Sequence, residues 1–132
     1  MEIRMDLSEI QISDTSDQQL IILRERNGSR ILPIVIGNNE AIAIERRVKG
    51  QATQRPMTHD LMANIVDALQ SELEKIVIHD LQDGTYYAKL VLRHAGEVVE
   101  VDSRPSDAIA LGSTGDVPVF VEDHVLREAS AQ

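Results

Sequence analysis

The chain has 132 residues, 42% of them hydrophobic and 2% aromatic, with no cysteine and no tryptophan. That length is about one domain with one ordinary core, and a core with this composition is built from Ile, Leu, Val, Met and Ala. With one Phe and two Tyr, aromatic stacking platforms for single-stranded nucleic acid are not expected, and the missing cysteines exclude disulfides, thiolate metal sites and cysteine nucleophiles. A net charge of −9 argues against gathering nucleic acid through the overall field, because phosphate contacts need Lys and Arg.

The opening residues "MEIRMDLSEI" carry acids and no long apolar run, so neither a secretory leader nor a membrane span is expected, and the expected location is the cytoplasm. "EIRMDLSEIQIS" alternates Ile3, Met5 and Leu7 with polar neighbours, the period of a half-buried strand. "QLIILRERNGSRILPIVIG" is two apolar runs around Asn27-Gly28, which predicts a hairpin with a type I′ turn. Pro33 in the second arm has no N–H to give a ladder, so that arm is expected at an edge or at a bulge.

Charge is uneven along the chain. Arg24, Arg26, Arg30, Arg46, Arg47, Lys49 and Arg55 face only Glu25, Glu40 and Glu45 in the segment 24–55, a local +4 inside an acidic protein. If nucleic acid binds, this is the segment expected to hold it, with Arg46, Arg47 and Lys49 among the contacts.

"NNEAIAIERRVK" predicts a helix from Asn38 to Lys49, capped by Asn38 or Asn39, with Glu40 at the positive end of its dipole and Gly50 as the stop. A second helix is expected from Thr58 to about Leu73. Met62, Ile65, Leu69 and Leu73 would form its buried stripe, Thr58 its cap, and Met57 with Met62 a hydrophobic staple. Three strands in a meander follow, "KIVIHDL" into Asp83-Gly84, "TYYAKLVLR" into "HAG", and "EVVEVD". Pro105 to about Leu111 then reads as a short third helix ended by Gly112, and "VPVFV" with a last helical turn or two closes the chain. Two main helices and a short third, set in blocks beside hairpin and meander strands, make an α+β fold with a mixed or antiparallel sheet the natural class, in a single domain over residues 1–132.

Two junctions concentrate chemistry. In "VEVDSRPSDAIAL" a strand turns into a helix, and Ser103, Ser106 and Asp107 can simply accept from the free amides behind Pro105. The same residues can do more. A helix start beside Arg104 attracts anions, and Asp102 with Asp107 offers oxygen ligands to a divalent cation. "RPMTHDLM" repeats the arrangement with Arg55 and Pro56 before the helix, His59 in its first turn and Asp60 near the dipole. Asp60 fits a helix-end carboxylate, while His59 is either a solvated side chain or an acid–base group that titrates near neutrality. His79-Asp80 is a further pair at a strand end. No HExxH, Walker loop, GxSxG or GxGxxG occurs.

"LPIVIGNNEAIAI", "RPMTHDLM", "VIHDLQDGTYYAKLVLR" and "VEVDSRPSDAIAL", in that order and followed by "VPVFV", resemble the bifunctional nuclease domain, long a domain of unknown function. The resemblance implies an α+β fold, association as homo-oligomers, and nuclease activity of the kind attributed to plant members on both DNA and RNA. Its block residues fall here on Glu40, Arg55, Pro56, Thr58, His59, Asp60, Asp80, Gly84, Asp102, Arg104, Pro105, Ser106 and Asp107. A nuclease needs a polarised phosphate and an activated water. Glu40, Asp80, Asp102 and Asp107 could then hold Mg²⁺ or Mn²⁺, His59, Asp60, Asp102 and Asp107 carry the chemistry, and Arg55, Arg104 and Ser106 bind phosphate. The other reading is a non-catalytic module in which these residues are caps and turn locks and the acidic surface meets a protein partner.

Overall fold

The computed structural model describes residues 1–131. Its strands are β1 (Glu2–Gln11), β2 (Gln18–Glu25), β3 (Ile31–Gly37), β4 (Ser71–Gln82), β5 (Thr85–His94), β6 (Glu97–Ser103) and β7 (Val119–Glu122). Four helices accompany them, α1 (Asn38–Val48), α2 (Thr58–Ala68), α3 (Pro105–Gly112) and α4 (Asp123–Ser130). All strands join one mixed sheet in the order β3-β2-β1-β7-β4-β5-β6. The pairing is antiparallel except between β4 and β7, where the chain returns from the β6 edge through α3 to place a four-residue strand in the middle. This is the expected α+β class, with one helix more than the three named from the sequence.

Alternation sends one set of side chains to a common core. Leu23 and Ile21 from β2, Leu32, Ile34 and Ile36 from β3, and Ile76 and Ile78 from β4 meet Ala41 and Ile44 of α1 and Ala108 and Ile109 of α3. Each Leu or Ile side chain among them contributes about 1.5–3 kcal/mol by leaving water. Pro33 lies on the edge strand β3, in register with Ile22 and without a bulge, so its missing N–H faces no partner.

Three local expectations are corrected. The β2–β3 hairpin closes through Glu25 N–H donating to the Arg30 carbonyl at 2.9 Å, and neither Asn27 nor Gly28 has a positive φ. The primed geometry belongs instead to Asp83-Gly84 (φ 52°, 80°) and Ala95-Gly96 (51°, 81°), whose turns match the twist of the long meander strands. The second helix stops at Ala68 rather than near Leu73, because Gln70 takes a left-handed φ of 56° and the alternating run from Ser71 is captured by pairing with β5. Its phase also differs. Met62, Ala63 and Val66 pack on the core, while Ile65 and Leu69 are 50% and 59% exposed and Met57 forms no buried staple.

Candidate nucleic-acid-processing cleft

The helices α1, α2 and α3 begin at one place. Asn39 and Glu40 from the first turn of α1, Met57, Thr58 and His59 from the start of α2, and Arg104 and Asp107 from the start of α3 line a cleft of about 400 Å³, closed on one side by Ile42, Ala43 and Arg46. The sequence explains why these ends are open. Gly37, Met57 and Arg104 occupy the N-cap positions, and none makes a side-chain cap bond. Asn38, Asn39, Thr58, Ser106 and Asp107 are therefore not the caps that the sequence predicts. The Glu40 carboxylate folds back over its own helix start, where a Cβ at Gly37 would stand 2.4 Å from its oxygen and the flexible Glu40 side chain would have to shift.

Inside the cleft the polar groups form a chain. His59 Nε2–H donates to Asp107 Oδ1 at 3.0 Å. The Arg104 guanidinium donates to both Asp107 oxygens, at 2.9 and 3.2 Å, and to Glu40 Oε1 at 3.1 Å. His59 is buried, and its Nδ1 has no hydrogen-bond partner among the described residues yet is not enclosed. Burial of Asp107 opposes its charge, but the hydrogen bonds from Arg104 and His59 outweigh it and hold the carboxyl below the usual carboxylate range. Arg104 is 63% exposed along its side chain, so the guanidinium stays open to solvent although it is paired.

Asp60 supports this wall from behind. It accepts from the Met57 N–H at 3.1 Å and from Arg46 at 3.0 Å, and it pairs with Arg47. Burial works against its charge here too, and the Met57 amide with the two guanidinium groups overcomes it, so its carboxyl also lies below the ordinary range. Arg47, 6% exposed, donates in addition to the carbonyls of Ala110 and Leu111 at the end of α3 and to Thr114 Oγ1. It ties α1, α2 and α3 together.

Not every predicted residue reaches the cleft. Asp102 pairs opposite Lys89 on β5, whereas its neighbour Ser103 lies opposite the core residue Ala88. Alternation therefore turns Asp102 to the sheet face away from the helices. Asp80 sits with His124 and Glu128 at α4. Ser106 is buried and lines a neighbouring cavity of about 420 Å³ with Gly37, Gly84 and Tyr86, on the other side of Arg104. Arg55 is exposed in the loop before α2, and Lys49 pairs with Glu45 on the outer side of α1. Neither lines the cleft. Burial removes Arg47 from any surface contact.

The four-carboxylate metal site fails on the same geometry. Glu40 and Asp107 have a guanidinium between them, and Asp80 and Asp102 lie elsewhere, so these four groups do not share a coordination sphere. The basic segment is likewise not a free patch. Arg26 pairs with Asp6, Arg30 with Glu25 and Asp123, and Arg46 and Arg47 with Asp60. Among the described residues only Arg24 and Arg55 of the seven bases lack an ionic partner. The acids that cancel the segment's excess positive charge, Asp6, Asp60 and Asp123, come from outside it, which a local charge count misses. Asn39 and Thr58 line the wall as polar groups that the sequence offers only as caps; their first-turn positions beside Glu40 and His59 are the signal.

Residues 21–132 match the bifunctional nuclease domain family. The chain belongs to that family. It is 41% identical over 120 residues to an uncharacterized protein of Mycobacterium tuberculosis, covering 91% of this chain and 71% of the relative. It is 27% identical over 114 residues to bifunctional nuclease 2 of Oryza sativa subsp. japonica, covering 83% of this chain and 35% of the relative. With bifunctional nuclease 1 of Arabidopsis thaliana the identity is 24% over 118 residues, covering 86% and 36%. The chain thus spans about a third of the length of these plant nucleases. Among the described residues no helix is long and apolar enough to cross a membrane.

Proposed function

We propose that the cleft hydrolyses phosphodiester bonds in RNA and DNA, with His59 as the acid–base group, Asp107 as its orienting carboxylate and Arg104 as the phosphate ligand. The observation that carries this reading is the use of Asp107. A carboxylate in the first turn of a helix normally serves the backbone amides, yet Asp107 spends its oxygens on His59 and Arg104. By holding Nε2–H it leaves Nδ1 as the basic nitrogen. Nδ1 takes a proton from water as the water oxygen bonds to phosphorus. The phosphorus–oxygen bond to the leaving sugar breaks, and that oxygen takes a proton from solvent. Arg104 turns from Glu40 to the phosphoryl oxygens, where charge develops, and the open N-terminal amides of three helices add positive potential.

The test is hydrolysis of labelled single-stranded RNA and DNA by highly purified protein, with Mg²⁺, Mn²⁺ or EDTA. Asp107→Asn keeps the shape of the side chain and removes its charge, and should lower kcat at least about tenfold, with His59→Ala lowering it further. Cleavage at the wild-type rate by both variants would refute the assignment. The paired state of the bases favours a second reading, a partner-binding module. Leu61, Ile65 and Leu69 form an exposed apolar ridge on α2, which also supports association of the chain with copies of itself. Absence of any cleavage by the wild type in every metal condition would make this second reading the better one.

A further inference from the structure

A second cluster of metal-ligating side chains lies outside the cleft. His124 is in the first turn of α4 and Glu128 stands four residues later on the same face. Asp80 faces them from β4, immediately after a register shift between Ile78 and Asp80 that re-aims the strand. One ligand atom from each of the three lies within 4.8 Å of the others. His124 Nε2 and Asp80 Oδ1 are 3.9 Å apart, too far for a hydrogen bond. Two donors that each sit about 2.1 Å from a common ion are separated by roughly 3 to 4 Å, so the spacing suits ligands of one ion with little rearrangement.

The surroundings hold this geometry in place. The Leu81 N–H donates to Asp80 Oδ1 at 2.9 Å and Gln82 Nε2 donates to Oδ2 at 2.7 Å, which fixes the carboxylate while leaving lone pairs on both oxygens. Val125 and Leu126, between the two helical donors, are buried, so the helix cannot rotate His124 and Glu128 away from β4. Neighbouring charges are already balanced, Asp123 pairing with Arg30 and Arg127. Apart from the Asp80–His124 contact itself, none of the three makes an ion pair among the described residues.

We propose that Asp80, His124 and Glu128 form a three-ligand site for a first-row transition dication of the Zn²⁺ or Co²⁺ class, which ties α4 to β4. One imidazole nitrogen and two carboxylate oxygens are a borderline donor set that suits these ions better than Mg²⁺ or Ca²⁺, which prefer oxygen alone. Both Asp80 and His124 are partly exposed, so the remaining coordination positions open to solvent. The site shares no residue with the cleft, and its fate is independent of the nuclease reading.

Titration calorimetry with Zn²⁺ should give one equivalent bound to the wild-type chain, and Co²⁺ should give a visible ligand-field band with the same stoichiometry. His124→Ala and Glu128→Gln should each weaken Zn²⁺ binding at least tenfold, while His59→Ala and Glu40→Gln leave it unchanged. Saturating Zn²⁺ should raise the melting temperature of the wild type and not that of Glu128→Gln, a substitution at an exposed position that leaves the fold intact even if His124→Ala is less stable. No binding by the wild type, unchanged affinity in the two site variants, or equal competition by Mg²⁺ would each overturn the proposal.

Discussion

Replacing Arg47 by Leu tests whether the cleft is held together by one buried cation. Leu retains much of the aliphatic bulk and removes the guanidinium. The Leu111 carbonyl then loses its side-chain donor, whereas the Ala110 carbonyl keeps Ser113 Oγ at 3.0 Å. Asp60 keeps Arg46 at 3.0 Å and the Met57 N–H at 3.1 Å. A stranded buried carbonyl costs about 1–3 kcal/mol, and removing one partner of a buried ion pair about 3–5 kcal/mol in all. Because Asp60 is not left alone, the lower end applies, about 3 kcal/mol. Urea unfolding should show the midpoint falling by roughly 1–2 M at an unchanged slope. The control is Arg46→Leu, which also loses an Asp60 contact but from a more exposed side chain that otherwise binds only the Gln51 carbonyl. It should cost under about 1 kcal/mol. A loss below about 0.5 kcal/mol for Arg47→Leu would mean that packing alone sets the three helices around the cleft, and the clamp argument would be wrong.

Two further outcomes follow from the same geometry. Ile65→Ala should change monomer stability by less than about 0.5 kcal/mol, and Val66→Ala by roughly 1 kcal/mol or more, as read from urea midpoints; a larger, concentration-dependent loss at Ile65 would show that another copy covers it. Asp60, Asp80 and Asp107 all have folded-state carboxyl pKa values below their ordinary ones; for Asp80 the Leu81 amide is the largest cause. A depressed folded value gives stability that is present above the unfolded pKa, about 3.9, and is lost as pH falls through the folded one. Urea midpoints should therefore drop below about pH 4, less steeply in Asp60→Asn, and an equal slope in that variant would count against its ion pairs.

What the sequence made legible was local. Alternation and turn residues located the meander, because neighbouring strands in it pair with each other and Asp83-Gly84 and the "HAG" turn need nothing distant. Pro105 and Gly112 bounded α3 for the same reason. The position of β7 was not legible. Four residues, Val119–Glu122, find partners in β1 and β4 only because the whole sheet exists. Helix phase failed similarly at α2, where a stripe drawn through Leu73 assumed a helix that the β4 pairing cuts short. At the junctions the residues that meet, Glu40, His59, Arg104 and Asp107, stand out in the sequence, but their meeting depends on three helices starting side by side. Asp102 is instructive because its exclusion could have been read. Val99, Val101 and Ser103 share one face of β6, so Asp102 must share the other with Glu100.

The net charge of −9 and the proposed phosphate-handling cleft are compatible once charge is counted locally. Glu40, Asp60 and Asp107 are matched by Arg46, Arg47 and Arg104, so the formal charge of the wall and its backing is zero with His59 neutral. Three helix starts without side-chain caps each contribute about half a positive charge at short range. The surplus acids lie elsewhere, and beyond about 10 Å salt screens them. On the proposed function, a phosphodiester entering the cleft would meet Arg104 and these helix starts rather than the net charge. On that proposal a strand with many phosphates would be held at few points, as expected of a site that acts on single bonds rather than one that grips a long track of backbone.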